Sequence, residues 1–176
     1  MADHWLQRSD VLFTSGEVQA AVTAVARQIE GRLAGTHPLV LAVMGGAVVF
    51  VGQLLPLLAF PLDFGYVHAT RYGSLRRGGE LHWKVAPGDE VRGRTVLLVD
   101  DILDEGETLA AIRQRVLELG AAACYSAVLV DKQHGRSRPV EADFAGVMAP
   151  DRYLFGFGMD VEGDWRNLPE IRALKE

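Results

Sequence analysis

The sequence predicts an α/β domain with a mostly parallel central sheet flanked by helices. Two observations carry this expectation. Uncharged apolar runs of strand length, LVLAVM, VLLV and CYSAVLV, recur along the chain. Between them lie segments whose apolar residues repeat at helical spacing instead of alternating. Strands that are apolar throughout are those covered on both faces, and their alternation with helices is the pattern of a parallel sheet. The length of 176 residues suits one domain with a sizeable core, residues 1–176, without a repeat, low-complexity tract or linker.

Each element has a local signal. Thr14 and Glu17 stand at capping-box spacing, and Val18, Ala21, Val22, Val25 and Ile29 form one apolar stripe, so a helix starts there. Gly35 and Pro38 close it before a buried strand at Leu39–Met44. Gly45 and Gly46 then turn the chain into a helix over VFVGQLL. A strand follows from Leu62 to Thr70, and the polar stretch beginning RYGS reads as a mobile hairpin or flap. Val96–Val99 is the next buried strand, and Leu109, Ile112, Val116 and Leu119 make a helix stripe that ends at Gly120. Cys124–Val130, FAGVM and YLFGFG supply three more strands.

Composition excludes several classes of function. Hydrophobic residues are 49% and charged residues 23% of the chain, the balance of an ordinary globular protein. The formal net charge is -5 without a basic run, which argues against a nucleic-acid partner. Residues 38–62 carry no charge, yet Gly45, Gly46, Gln53, Pro56 and Pro61 interrupt them and no Lys or Arg cluster flanks them, so no membrane span is expected. MADHWLQRSD lacks the basic flank and apolar core of a signal peptide. The single cysteine, Cys124, sits in an apolar run as a core residue and fits a reducing cytoplasm. The five histidines show no metal-ligand spacing, so no zinc site is expected.

In parallel sheets ligands bind beyond the carboxyl ends of the strands. Those ends carry Met44-Gly45-Gly46, Asp100-Asp101, Asp131-Lys132 and, later, Asp160. The segment VLLVDDILDEGETL joins an apolar strand to a tight turn and a helix start, a layout that cradles a phosphate on backbone N–H groups. Glu105 and Glu107 can point to solvent, while Asp100 and Asp101 are placed to accept from sugar hydroxyls or to attract Mg²⁺. A ligand with a phosphate, a diol and a metal-bound diphosphate satisfies both halves of the loop, and phosphoribosyl diphosphate is such a molecule.

VLLVDDILDEGETL resembles the phosphoribosyl-diphosphate signature of type I phosphoribosyltransferases, and the chain from Val11 onward resembles their hypoxanthine-guanine branch. VMGGAVVF is similar to the branch's diphosphate loop, ATRYGS to the start of its flexible catalytic loop, and DKQHGR to its purine-contacting lysine segment. The stretch from ADFAGVM to NLPEI is similar to its C-terminal block.

The resemblance implies a domain with a small flap and hood subdomain, a purine base and phosphoribosyl diphosphate as substrates, Mg²⁺ as cofactor, and a homodimer or homotetramer. It implies Asp104 as the base that takes the purine N7 proton. Backbone groups of Asp104, Glu105, Gly106, Glu107 and Thr108 would bind the 5′-phosphate. Asp100 and Asp101 would hold the ribose hydroxyls, directly or through metal and water, and Asp160 would reach Mg²⁺. Arg166 with the amides of Gly45 and Gly46 would hold the diphosphate. Lys132 would donate to the 6-oxo group, Tyr153 would stack on the ring, and backbone groups at Leu154 and Asp160 would read the purine edge. Arg71 and Tyr72 would belong to the flap.

Two positions depart from the branch: Met44 stands where a lysine is usual, and Arg71-Tyr72 where Ser-Tyr is usual. The first removes a side-chain charge beside the diphosphate, and the second adds one. Two other readings stay open at this point, a xanthine-preferring transferase and a non-catalytic regulator of the same fold.

Overall fold

The computed structural model describes residues 3–71 and 81–175. A short helix α1 (Asp3–Gln7) and strand β1 (Ser9–Phe13) precede the long helix α2 (Ser15–Leu33). Thr14 caps α2 as its spacing predicts. Its amide donates to Glu17 Oε2 at 2.8 Å, and its hydroxyl accepts from the Glu17 amide at 3.4 Å. Such a cap contributes about 1 kcal/mol. The stripe Val18, Ala21, Val22, Val25 and Ile29 is buried.

The chain continues through β2 (Leu39–Met44), α3 (Val48–Leu54), β3 (Asp63–Arg71) and β4 (Leu81–Val85). It then forms β5 (Thr95–Leu103), α4 (Glu107–Glu118), β6 (Ala123–Gln133) and β7 (Phe144–Pro150). The order in the main sheet is β4-β3-β2-β5-β6-β7, parallel throughout except where β4 runs antiparallel beside β3. β3 and β4 are thus the arms of the hairpin expected there. The flap tip, Tyr72 included, lies outside the described residues.

Burial explains why the central strands are apolar at every position. Val40, Ala42, Leu97, Val99, Ala127 and Leu129 face a core shared with α2 and α3. Their neighbours Leu39, Leu41, Val43, Val96, Leu98 and Val128 face a second core under α4, formed with Leu109, Ile112 and Val116. Each fully buried aliphatic side chain contributes roughly 1.5–3 kcal/mol relative to exposure. Cys124 belongs to the second core, where burial pushes its thiol up to about 12. Among the described residues no helix is long and apolar enough to cross a membrane, because the uncharged stretch is divided between β2 and α3.

A second, three-stranded sheet forms the hood. It joins β1 to β9 (Ile171–Leu174) and β9 to β8 (Leu154–Phe155). Ser9 pairs with Leu174, so the two strands come from opposite ends of the chain. Neither β1 nor β9 was expected from the sequence. Both are short, and β1 alternates poorly, with only Ser9 buried. The strand expected over YLFGFG is also corrected. Only Leu154–Phe155 is extended pairing, because Gly156 and Gly158 turn the chain at φ of 99° and 104°.

Candidate active site

The carboxyl ends of β2, β5, β6 and β7 rim one side of the main sheet, beneath the hood. Strand β5 runs on to Leu103, past the end expected at Val99. Asp100 and Asp101 therefore sit within the strand and not in a turn, which gives them fixed, opposite directions. Asp101 is 9% exposed and Asp100 is half-buried. The Asp101 amide donates to Asp100 Oδ1 at 2.9 Å, and the Ile102 amide to Asp101 Oδ1 at 2.8 Å. Burial raises both carboxyls above the usual range, and the charge of Asp101 raises Asp100 further. The Arg166 guanidinium acts in the opposite sense on Asp101.

Beyond Leu103 the chain turns through Asp104 and Glu105 to Gly106, the cap of α4, at φ 76°. A Cβ at Gly106 would stand 3.3 Å from both Leu103 and Val140 side-chain carbons, so the turn needs glycine for both conformation and room. The helix begins at Glu107. Its cap, Gly106, has no side chain to lay over the first turn, and a helix start of this kind carries the backbone N–H groups that suit an anion.

Asp104 is not a helix cap. Its Oδ2 receives Lys132 Nζ at 3.0 Å, while Oδ1 is shut from solvent and has no hydrogen-bond partner among the described residues. Lys132, 11% exposed, also lies 3.5 Å from Asp151 Oδ1. His134 completes this corner. Its Nδ1 accepts from the Arg136 amide at 3.1 Å, which leaves the proton on Nε2 to donate to the Asp104 carbonyl at 3.1 Å. Asp131, expected to converge here, faces elsewhere, held by Arg138 at 2.7 Å.

The other side of the cleft is packed just as closely. The Met44–Gly45 peptide is cis. A Cβ at Gly46 would fall 1.8 Å from Asp101 Oδ2, and one at Gly158 would fall 2.0 Å from the Gly46 carbonyl oxygen. Glycine at these two positions lets the loop after β2, the end of β5 and the turn after β8 touch. Arg166 binds Asp160 Oδ1 at 2.6 Å and the Gly158 carbonyl at 2.6 Å. Tyr153 lies just before β8, 53% exposed, with its hydroxyl donating to the Asp160 carbonyl at 3.2 Å. The Leu154 side chain is buried and its backbone is in register with Ala173. Arg71 is the last residue of β3.

The structure thus gathers Gly45, Gly46, Asp101, Asp160 and Arg166 on one side, and Asp104, Lys132 and the turn to Thr108 on the other. It does not draw Asp100, Asp101 and Asp160 into a single three-carboxylate cluster. Among the described residues the one group of three potential ligand atoms within 4.8 Å of each other is Asp104, Glu105 and His134. Asp151, His134 and Arg136 were missed by sequence reading. The segment DKQHGR was read for its lysine alone, and an aspartate after Pro150 resembles any solvated strand end.

A mostly parallel sheet whose central strand carries an acidic pair near its end and passes through a glycine-capped turn into a helix, roofed by a small hood, is a type I phosphoribosyltransferase fold. The chain belongs to the phosphoribosyl transferase family, whose model, described as "Phosphoribosyl transferase domain", matches residues 10–162. The hypoxanthine-guanine phosphoribosyltransferase of Streptococcus pneumoniae is 30% identical over 167 residues, covering 94% of this chain and 93% of that protein. Its counterpart in Lactococcus lactis is 33% identical over 142 residues, covering 80% and 77%. The solved structure of a hypoxanthine-guanine phosphoribosyltransferase from Bacillus anthracis, with HEPES in its active site, superposes with a TM-score of 0.87 at 28% identity, covering 94% of this chain and 98% of that one. These relatives bear out the resemblance to the hypoxanthine-guanine branch.

Proposed function

We propose that the chain transfers the phosphoribosyl group of phosphoribosyl diphosphate to hypoxanthine or guanine, forming IMP or GMP and diphosphate. The observation that carries this is the pairing of Asp104 with Lys132 at the ends of neighbouring strands, directly beside the phosphate turn. A purine binds there with its 6-oxo group toward the ammonium and its N7–H toward the carboxylate. In the reaction a purine nitrogen forms its bond to ribose C1 as the bond from C1 to the diphosphate oxygen breaks. The N7 proton passes to Asp104, and the electron pair of the broken bond leaves with diphosphate.

The remaining roles follow from position. The backbone groups of Asp104 to Thr108 hold the 5′-phosphate, and Asp100 and Asp101 take the ribose hydroxyls. Tyr153 is exposed enough to present its ring to the base, and backbone groups of Leu154 and Asp160 border the purine edge. Arg166 and the amides of Gly45 and Gly46 face the diphosphate. Asp100, Asp101 and Asp160 offer hard oxygen donors that suit Mg²⁺, and the desolvated charge of the Asp100-Asp101 pair fits a nearby cation. When bound, Mg²⁺ supplies charge neutralisation for the diphosphate. The C1 centre becomes cation-like and must be kept from water, a task for the flap that Arg71 and Tyr72 begin.

The test is to combine the chain with phosphoribosyl diphosphate, Mg²⁺ and each purine base in turn, and to measure nucleotide. No product from hypoxanthine or guanine would refute the assignment, and product from xanthine alone would identify the xanthine-preferring reading. Lys132→Ala is expected to raise KM for hypoxanthine and guanine about tenfold or more, since an unmet buried polar contact costs about 1–3 kcal/mol. KM for phosphoribosyl diphosphate should change little. Equal changes in both constants would mean that Lys132 does not read the base.

A further inference from the structure

We propose that Asp151 is a positioning residue for base recognition. It holds the Lys132 ammonium so that one N–H stays directed at the 6-oxo group of the purine throughout the reaction. The proposal rests on the function given above and extends it to a residue outside the set named there.

The placement comes from sheet register. β5, β6 and β7 are consecutive parallel neighbours, with Leu103 opposite Asp131, and Lys132 and Gln133 opposite Ala149 and Pro150. Asp104 follows β5, Lys132 lies near the end of β6, and Asp151 follows β7. The lysine is therefore flanked by a carboxylate on either side, Asp104 Oδ2 at 3.0 Å and Asp151 Oδ1 at 3.5 Å. An ammonium has three N–H donors and no acceptor. Asp104 takes one donor in a hydrogen bond, and the Asp151 carboxylate, an ion-pair neighbour at 3.5 Å, biases the direction of the remaining two, which are the ones left for a ligand.

The two carboxylates differ in what the reaction asks of them. Asp104 becomes neutral when it takes the purine proton, and at that moment Asp151 is the anion left facing a nearly buried ammonium. A buried charge without a partner is costly, so Asp151 preserves the contact to the 6-oxo group where the base needs it. Asp151 is itself steadied by Arg136, 3.5 Å from its Oδ2, and the same guanidinium lies 2.8 Å from Glu105. The ion pairs close a ring from Asp104 through Lys132, Asp151 and Arg136 to Glu105. Arg136 and Glu105 are about half exposed, 49% and 53%, so their link is screened by solvent, whereas in the other pair Asp151 is 44% exposed but Lys132 only 11%. The Lys132–Asp151 contact is the one expected to affect base binding.

Steady-state kinetics with hypoxanthine on the wild-type chain, Asp151→Asn, Asp151→Glu, Lys132→Ala and the Asp151→Asn/Lys132→Ala pair tests this. Asp151→Asn should raise KM for hypoxanthine about tenfold while KM for phosphoribosyl diphosphate stays within about twofold, and Asp151→Glu should recover most of the loss. In the Lys132→Ala background Asp151→Asn should add nothing, because its effect passes through the lysine. Equal changes in both constants, or an undiminished effect in that background, would overturn the proposal. Failure of the wild-type chain to make nucleotide from hypoxanthine or guanine would instead overturn the function on which the proposal rests, and the proposal with it.

Discussion

Replacing Asp104 by Asn is expected to lower kcat by about 10²–10⁴-fold, the range for loss of a positioned general base, with phosphoribosyl-diphosphate binding and folding largely intact. The usual competing role for an aspartate at this point in a fold is to cap the following helix. Here the cap position is Gly106 and not Asp104. Asp104 instead spends one oxygen on Lys132 and keeps the other away from solvent with no partner among the described residues. An asparagine has nearly the same shape and its carbonyl still accepts from Lys132. What it lacks is basicity. Turnover close to that of the wild type, at saturating substrates and with chemistry shown to limit the rate, would remove Asp104 from the mechanism.

Chelation of divalent cations is expected to reduce nucleotide formation to background, and added Mg²⁺ to restore it. Negative charge accumulates on the leaving diphosphate, and the residues that meet it are of mixed sign. Arg166 is cationic, but it is already bound to Asp160 at 2.6 Å. The lysine usual in the diphosphate loop is Met44 in this chain. With Asp101 buried and Asp100 half-buried nearby, a cation is expected to offset the charge that develops on the diphosphate. Full activity in thoroughly chelated buffer would show that the protein's own groups suffice.

Much of the fold was legible because its signals are local. Val96–Val99 and Leu39–Met44 read as strands because both faces of the sheet are covered, and Thr14 with Glu17 marked a helix start through one short-range hydrogen-bond pair. The acidic loop was legible for the same reason, with strand, turn and helix contiguous in sequence. What escaped was set by register or by distant pairing. That β5 continues through Asp100 and Asp101 depends on Asp100, Ile102 and Leu103 lying opposite Val128, Val130 and Asp131 on β6, which no local pattern announces. The contact of Asp151 with Lys132 arises because β6 and β7 end level with each other. The β1–β9 pairing joins residues at opposite ends of the chain, and neither strand has a strong pattern of its own.

The hood also imposes an order on folding. The turn at Asp104 to Gly106 lies in one continuous segment, β5 to α4, and its strand pairs with the strand that follows the helix, Thr95 lying opposite Ala123. The hood contains one near pairing, β8 with β9, where Leu154 lies opposite Ala173, but β9 in turn pairs with β1, where Ser9 meets Leu174 across almost the whole chain. Arg172 adds to this closure by donating to Ser9 Oγ at 2.9 Å and to the Leu6 carbonyl at 3.2 Å. Contacts this distant in sequence carry the largest loop-closure cost and tend to form late. During refolding, amide protons of β5 and α4 should therefore gain protection from exchange before those of β1, and the opposite order would contradict it. Phosphate recognition would then mature while the chain is still partly open, and selection among bases would become possible only when its two ends have met.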